Sequence, residues 1–209
     1  MRIAIFGIGA MGCLYGARLT PHADVTLFGR WPEQLAALQS SPLRILYADG
    51  HEEQIALRVM EIQPSATQPA RFDAILILTK AAGTEKAARR AAPLLLPEGL
   101  AITLQNGLGN LEVIAQHVGA GRTTLGVTSQ GASVVQPGVI RYAGPGMTIL
   151  ATRSEIDDRV HEVAALFERA GFQTEIAEDV RSVVWGKLVA NASINPLTAI
   201  LRVPNGVLL

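Results

Sequence analysis

Residues 2–12, RIAIFGIGAMG, put a short apolar run directly before Gly7-Ile8-Gly9-Ala10-Met11-Gly12. Such a run ending in glycine predicts a strand buried on both faces, as strands are in parallel sheets. The G-x-G-x-x-G spacing then demands a strand, a tight turn and a helix. Its first glycine allows the turn, its second lets backbone approach a pyrophosphate, and its third lets helix and strand pack closely. Free N–H groups at the start of the helix supply an anion site. A glycine-rich turn without a ligand is the alternative; the flanking strand and helix favour the dinucleotide.

The same alternation continues along the chain. Residues 10–19 read as a helix, 24–30 as a strand, and 43–60 as a hairpin or meander around the Asp49-Gly50 turn signal. A central strand is expected at 72–80, a helix at 84–95, a strand at 99–107 and a helix at 108–119 capped by Gly119. Three β-like pieces follow, TTLGVTS, GVIRYAG and MTILAT. Residues 154–171 form a helix with Ser154 as N-cap, and 171–179 a last strand. From Asp179 onward the pattern is helical. Apolar strands alternating with helices predict an α/β fold, a Rossmann-like doubly wound, mostly parallel sheet. The switch near 179 predicts a boundary, with too little chain after it to form a domain alone.

Composition removes several function classes. The chain has 18 basic and 18 acidic residues and no formal net charge, which argues against a surface for nucleic acid or anionic membrane. With 49% apolar and 17% charged residues it has the material for a core and is not disordered. One cysteine, Cys13, excludes an internal disulfide and fits a reducing compartment. It stands where a helix dipole could activate a thiol, but with no partner in sequence it reads as a small packed side chain. No apolar run approaches a membrane span, and MRIAIFGIGAMG fits strand and turn better than a signal peptide, so a cytoplasmic protein is expected. No metal-ligand set is evident.

An NAD site would place a carboxylate about 20 residues past the glycine loop, on the ribose. Here the second strand ends Leu27-Phe28-Gly29-Arg30. A guanidinium can pair with a 2′-phosphate that a carboxylate would repel, which points to NADP(H). A solvated surface arginine is the alternative.

Near the C-terminus, WGKLVANASINPLTA (185–199) carries Lys187, Asn191 and Asn195 at four-residue steps in apolar sequence. On a helix these fall within an arc of about 80°, one face. Burying them unpaired would cost several kcal/mol, so the face should look into a cleft or water. Lys187 suits reduction of a ketone, since an ammonium can polarise the carbonyl and then donate a proton. A lysine whose head escapes to solvent is the alternative. Asn195 precedes Pro196, so it either caps a new helix or contacts a ligand. Asn106 and Lys80 end central strands on the side where such sheets bind ligands, although Asn-Gly is also a common turn pair.

Taken in order, Gly7–Gly12, Arg30, Thr79-Lys80, Leu104-Gln105-Asn106-Gly107, Gly126-Val127-Thr128, Pro137-Gly138-Val139 and Trp185-Gly186-Lys187 through Asn195-Pro196-Leu197-Thr198-Ala199 make the chain resemble the ketopantoate reductases (2-dehydropantoate 2-reductases). The resemblance covers essentially the whole chain. It implies an NADP-dependent oxidoreductase of pantothenate and coenzyme A biosynthesis that reduces a small 2-oxo acid. It implies Lys187 as catalytic acid, Asn106, Asn191 and Asn195 as substrate residues, and Gly7, Ile8, Gly9, Ala10, Met11, Gly12, Arg30, Lys80 and Asn106 about the cofactor. Residues 1–178 would be the NADP-binding domain and 179–209 the first part of a helical substrate and dimerisation domain. That domain would continue beyond Leu209 and carry a Ser and a Glu toward the ligands. A reductase of another oxo acid, or a non-catalytic NADP(H) sensor, is the competing expectation. An undercovered apolar helix at 183–201 would also favour homo-oligomers.

Overall fold

The computed structural model describes residues 1–61, 70–203 and 207, with backbone alone at 180–183 and 190. Along the chain run β1 (Arg2–Phe6), α1 (Ala10–Leu19), β2 (Asp24–Gly29), α2 (Pro32–Ser40), β3 (Leu43–Leu46), β4 (Glu52–Ile55), β5 (Val59–Glu61) and β6 (Phe72–Ile77). Then come α3 (Thr84–Ala91), β7 (Leu95–Thr103), α4 (Asn110–Val118), β8 (Thr123–Thr128), β9 (Ala132–Gln136) and β10 (Val139–Tyr142). β11 (Met147–Ala151), α5 (Asp157–Arg169), β12 (Gln173–Ala177) and α6 (Val180–Leu201) complete it.

Eight strands form one sheet in the order β12-β11-β8-β7-β6-β1-β2-β5. Every neighbouring pair in it is parallel except β8 with β11. The chain steps outward from β1 through β2 to β5, then returns to β6 on the other side of β1. The topological switch point therefore lies between β1 and β6, and the glycine loop begins directly after β1.

Strand alternation sorts the core into two faces. Ile3 and Ile5 of β1 join Leu27, Leu76 and Ile102 beneath α1 and α5. Ala4 and Phe6 join Phe28, Ile75 and Ile77 against α3 and α4. Phe6 and Phe28 stack at 5.0 Å between ring centroids, and Phe72 meets Phe28 edge-on. Both faces being covered explains why β1 and β6 are apolar at nearly every position.

A second sheet of four strands, β4-β3-β10-β9, packs on the far side of α1. Its Leu43, Ile45 and Ile140 belong to the same core as Leu14, Tyr15 and Leu19 of α1. A helix lying between two layers has no solvent face, so α1 is buried almost all round, from Gly12 to Ala17 and at Leu19.

Several boundaries differ from the sequence expectation. The segment 43–60 does turn at Asp49-Gly50, where Gly50 has φ 85°, and β3 pairs antiparallel with β4. Its end, β5, instead leaves to pair in parallel with β2 in the large sheet. α2 and β9 have no counterpart in the sequence expectation. The helix expected at 84–95 is α3 followed by a 3-10 turn at Ala92–Leu94, since Pro93 cannot donate to a continuing α-helix. β7 occupies 95–103 rather than 99–107, which leaves Leu104–Gly107 as a loop. Gly119 does cap α4, with φ 98°. Ser154 caps nothing: α5 begins at Asp157 behind Ile156. Asn195 does not open a new helix, because α6 runs through Pro196 as one helix. The Thr198 hydroxyl donates to the carbonyls of Ile194 and Asn195 around the proline. No described helix is long and apolar enough to cross a membrane.

Candidate active site

The β1–α1 turn is shaped by its glycines in three different ways. Gly7 has φ 129°, and a Cβ there would stand 2.7 Å from the Leu78 carbonyl oxygen. At Gly12 a Cβ would lie 1.9 Å from the Gly7 oxygen, so this glycine permits the turn and helix to touch. A Cβ at Gly9 would meet nothing within 4 Å. Gly9 therefore faces open space, as a backbone that receives a ligand must. The first helical bond, from Cys13 N–H to the Gly9 carbonyl, leaves the amides before it aimed out of the helix.

A groove of about 460 Å³ runs over this turn. Gly7, Ile8, Gly9, Ala10, Met11, Arg30, Lys80 and Asn106 all line it, together with Trp31 and Ala132. Gly12 does not; it is buried and serves the packing. At one end Arg30 and Lys80 also border a smaller depression with Lys86 and Arg90 of α3. Lys86 is held below the ordinary lysine range, chiefly by the charge of Arg30, then by desolvation, Arg90 and Arg89. Cations crowded together repel one another, and an anion between them relieves that repulsion. Lys86 and Arg90 escaped the sequence reading because they lie on a helix whose basic residues look like an ordinary solvated face.

A second cavity, about 280 Å³, lies between α6 and the ends of β7 and β8. It is lined by Asn106, Asn110, Trp185, Lys187, Leu188 and Asn191, among others. Lys187 and Asn191 thus do share a face and a cavity. Asn195, one turn on, is exposed and is not part of its lining. Lys187 is half-buried, and its Nζ donates to the Thr128 carbonyl at the end of β8. Burial lowers its pKa from the ordinary lysine value of 10.5.

Gln105 and Asn106 line both cavities, so the two spaces meet at the end of β7. The loop there is tied down from below. The Gln105 amide donates to the Thr79 carbonyl at 2.7 Å and the Thr84 hydroxyl at 2.9 Å, and accepts from Thr103 at 2.8 Å. The Asn110 amide donates to the Asn106 carbonyl at 3.1 Å and accepts from Thr84 at 3.0 Å. Gln105 is consumed by this scaffold, whereas Asn106 is exposed to both cavities. Gly107, at φ 91°, fulfils the turn role of the Asn-Gly pair.

Cys13 is fully buried, and burial pushes its thiol up to about 12, so it is packing material as expected. Among the described residues no cluster of His, Cys, Asp and Glu could hold a metal ion.

Strand ends converging on a glycine loop at the switch point define a Rossmann-type fold of the dinucleotide-binding class. Sequence models described as "Ketopantoate reductase PanE/ApbA" and "Ketopantoate reductase PanE/ApbA C terminal" match residues 3–155 and 179–209. The chain belongs to the ketopantoate reductase family, a family of NADP-dependent oxidoreductases. It is 36% identical to the 2-dehydropantoate 2-reductase of Halobacterium salinarum over 210 aligned positions, covering all of this chain and 68% of that one. The crystal structure of 2-dehydropantoate 2-reductase from Geobacter metallireducens superposes with a TM-score of 0.83 at 29% identity, over 97% of this chain and 66% of that one. A D-mandelate dehydrogenase in complex with NADH and anilino(oxo)acetate shares the fold, with a TM-score of 0.88 at 24% identity, over 97% of this chain and 65% of that one. The chain thus spans about two thirds of the length of the relatives it matches.

Proposed function

We propose that this chain carries out the NADPH-dependent reduction of a 2-oxo acid, with 2-dehydropantoate (ketopantoate) as substrate and pantoate as product, in the cytoplasmic route to pantothenate and coenzyme A. The observation that carries this reading is the meeting of the two cavities at Asn106. One has the backbone surface and cations that suit a phosphorylated dinucleotide; the other holds a half-buried lysine with the amides of Asn106 and Asn191. NADPH, when bound, supplies a hydride to the carbonyl carbon. The open side of Gly9 and the cation group at Arg30, Lys80, Lys86 and Arg90 fit its pyrophosphate and 2′-phosphate.

The Lys187 ammonium polarises the substrate carbonyl and then gives a proton to its oxygen, leaving a neutral amine and a hydroxyl product. Lowering its pKa by burial makes that proton easier to surrender. Its hydrogen bond to the Thr128 carbonyl holds Nζ at the end of β8. Asn106 at the end of β7 and Asn191 on α6 offer amides to the substrate from two walls of the cavity. The separate matches at 3–155 and 179–209 support a boundary near residue 178, with α6 opening a second, helical domain.

The test is steady-state NADPH oxidation by the purified chain with a panel of 2-oxo acids. Ketopantoate should give the highest kcat/KM. A chain that binds NADPH and reduces no 2-oxo acid would contradict this reading.

A further inference from the structure

Gln34 of α2 is fully buried, an unusual place for an amide. Its Nε2 donates to the Ile8 carbonyl at 3.1 Å and to the Cys13 sulfur at 3.4 Å. Its Oε1 accepts from the Gly138 N–H at 2.9 Å, in the turn between β9 and β10. The Cys13 thiol donates to the same Ile8 carbonyl at 3.3 Å, and burial keeps that thiol protonated. Two donors buried behind the glycine loop therefore converge on one carbonyl oxygen within it.

The C=O and N–H of a trans peptide point in opposite directions. With the Ile8 carbonyl drawn inward, the Gly9 N–H of the same peptide must face outward, toward the groove that Ile8, Gly9 and Ala10 line. Were this peptide flipped, a carbonyl oxygen would meet the phosphates instead, and repel them. We propose that Gln34 is a positioning residue for dinucleotide binding: it fixes the Ile8–Gly9 peptide with its N–H toward the pyrophosphate. This rests on the dinucleotide reading of the groove. Because the same amide holds the Gly138 turn, it also locks the four-stranded sheet to the loop.

The test compares two probes by calorimetry. NADPH carries a pyrophosphate, whereas 2′-AMP carries only the phosphate suited to the Arg30 cluster. Gln34→Met keeps the size and removes every hydrogen bond. It should weaken NADPH about 10–100-fold, because the Ile8 carbonyl then keeps only the weak Cys13 thiol as donor, and change 2′-AMP less than about twofold. Unchanged NADPH affinity, or equal weakening of both probes, would overturn the proposal. Should Gln34→Met not fold, the amide resonances of the wild-type chain decide. The Gly9 N–H should shift strongly on NADPH addition, and an unmoved Gly9 N–H would contradict the assigned orientation. A wild-type chain that binds no NADPH would remove the dinucleotide reading itself, a result distinct from either variant outcome.

Discussion

Lys187 donates through Nζ to the backbone carbonyl of Thr128, joining α6 to the C-terminal end of β8. Backbone cannot be mutated away, so this contact gives the ammonium a fixed address whatever side chain stands at 128. The Thr128 side chain serves the core instead, its hydroxyl lying in a buried group with Tyr15 and Thr148, at 3.2 and 2.9 Å. Tyr15 in turn stacks on Phe172 at 4.3 Å between centroids. The strand end that receives Lys187 is thus anchored in the main core.

The pH dependence of reduction follows from that burial. A general acid works only when protonated, and Lys187 is shifted below 10.5 by desolvation. Activity should therefore fall along an alkaline limb whose midpoint lies below pH 10.5. A profile flat to pH 10.5 in kcat/KM would remove Lys187 as proton donor.

The glycines of the loop should separate stability from binding. Gly12→Ala forces a Cβ to within 1.9 Å of the Gly7 oxygen and should cost about 3 kcal/mol or more, seen as a lowered Tm. Gly9→Ala meets no protein atom within 4 Å and should leave Tm nearly unchanged while weakening NADPH. Equal losses of stability in the two variants would refute the division of labour.

Cofactor preference should reside in the cation group. Arg30→Asp should lower NADPH affinity at least about tenfold and favour NADH, since a paired phosphate contact is worth about 1.5–3 kcal/mol. Lys86→Ala should weaken NADPH and spare NADH. Titrations of both nucleotides against both variants check this, and an unchanged NADPH/NADH ratio would dismiss the assignment.

Cys13 should be inert. Its pKa of about 12 leaves almost no thiolate near neutrality, and the sulfur is inaccessible. Because the folded value exceeds the unfolded 9.0, alkali above pH 9 ionises the unfolded chain first and lowers stability. A thiol reagent should label the protein only on unfolding; rapid labelling of the native chain would show that the loop opens.

Much of this architecture was legible because it rests on local rules. Runs such as FDAILI announce a strand covered on both faces, and G-x-G-x-x-G has one geometry that suits it. The four-residue spacing of Lys187 and Asn191 placed them on one face, and they do share a cavity. What escaped depends on tertiary pairing. β9 is short and half-exposed, and only its antiparallel partner β10 makes it a strand. α2 is short: it buries only Leu35 and Leu38 among its apolar side chains, and the buried amide of Gln34 beside them breaks the hydrophobic pattern. The cap reading of Asn195 failed for a simpler reason: Asn-Pro favours a helix start locally, yet α6 continues through it.

The most direct measurement is turnover beside binding in Lys187→Ala. NADPH oxidation with ketopantoate should drop about 10²–10⁴-fold, while NADPH affinity stays within about twofold because Lys187 does not line the glycine-loop groove. A variant that reduces ketopantoate at the wild-type rate would contradict the account at its centre.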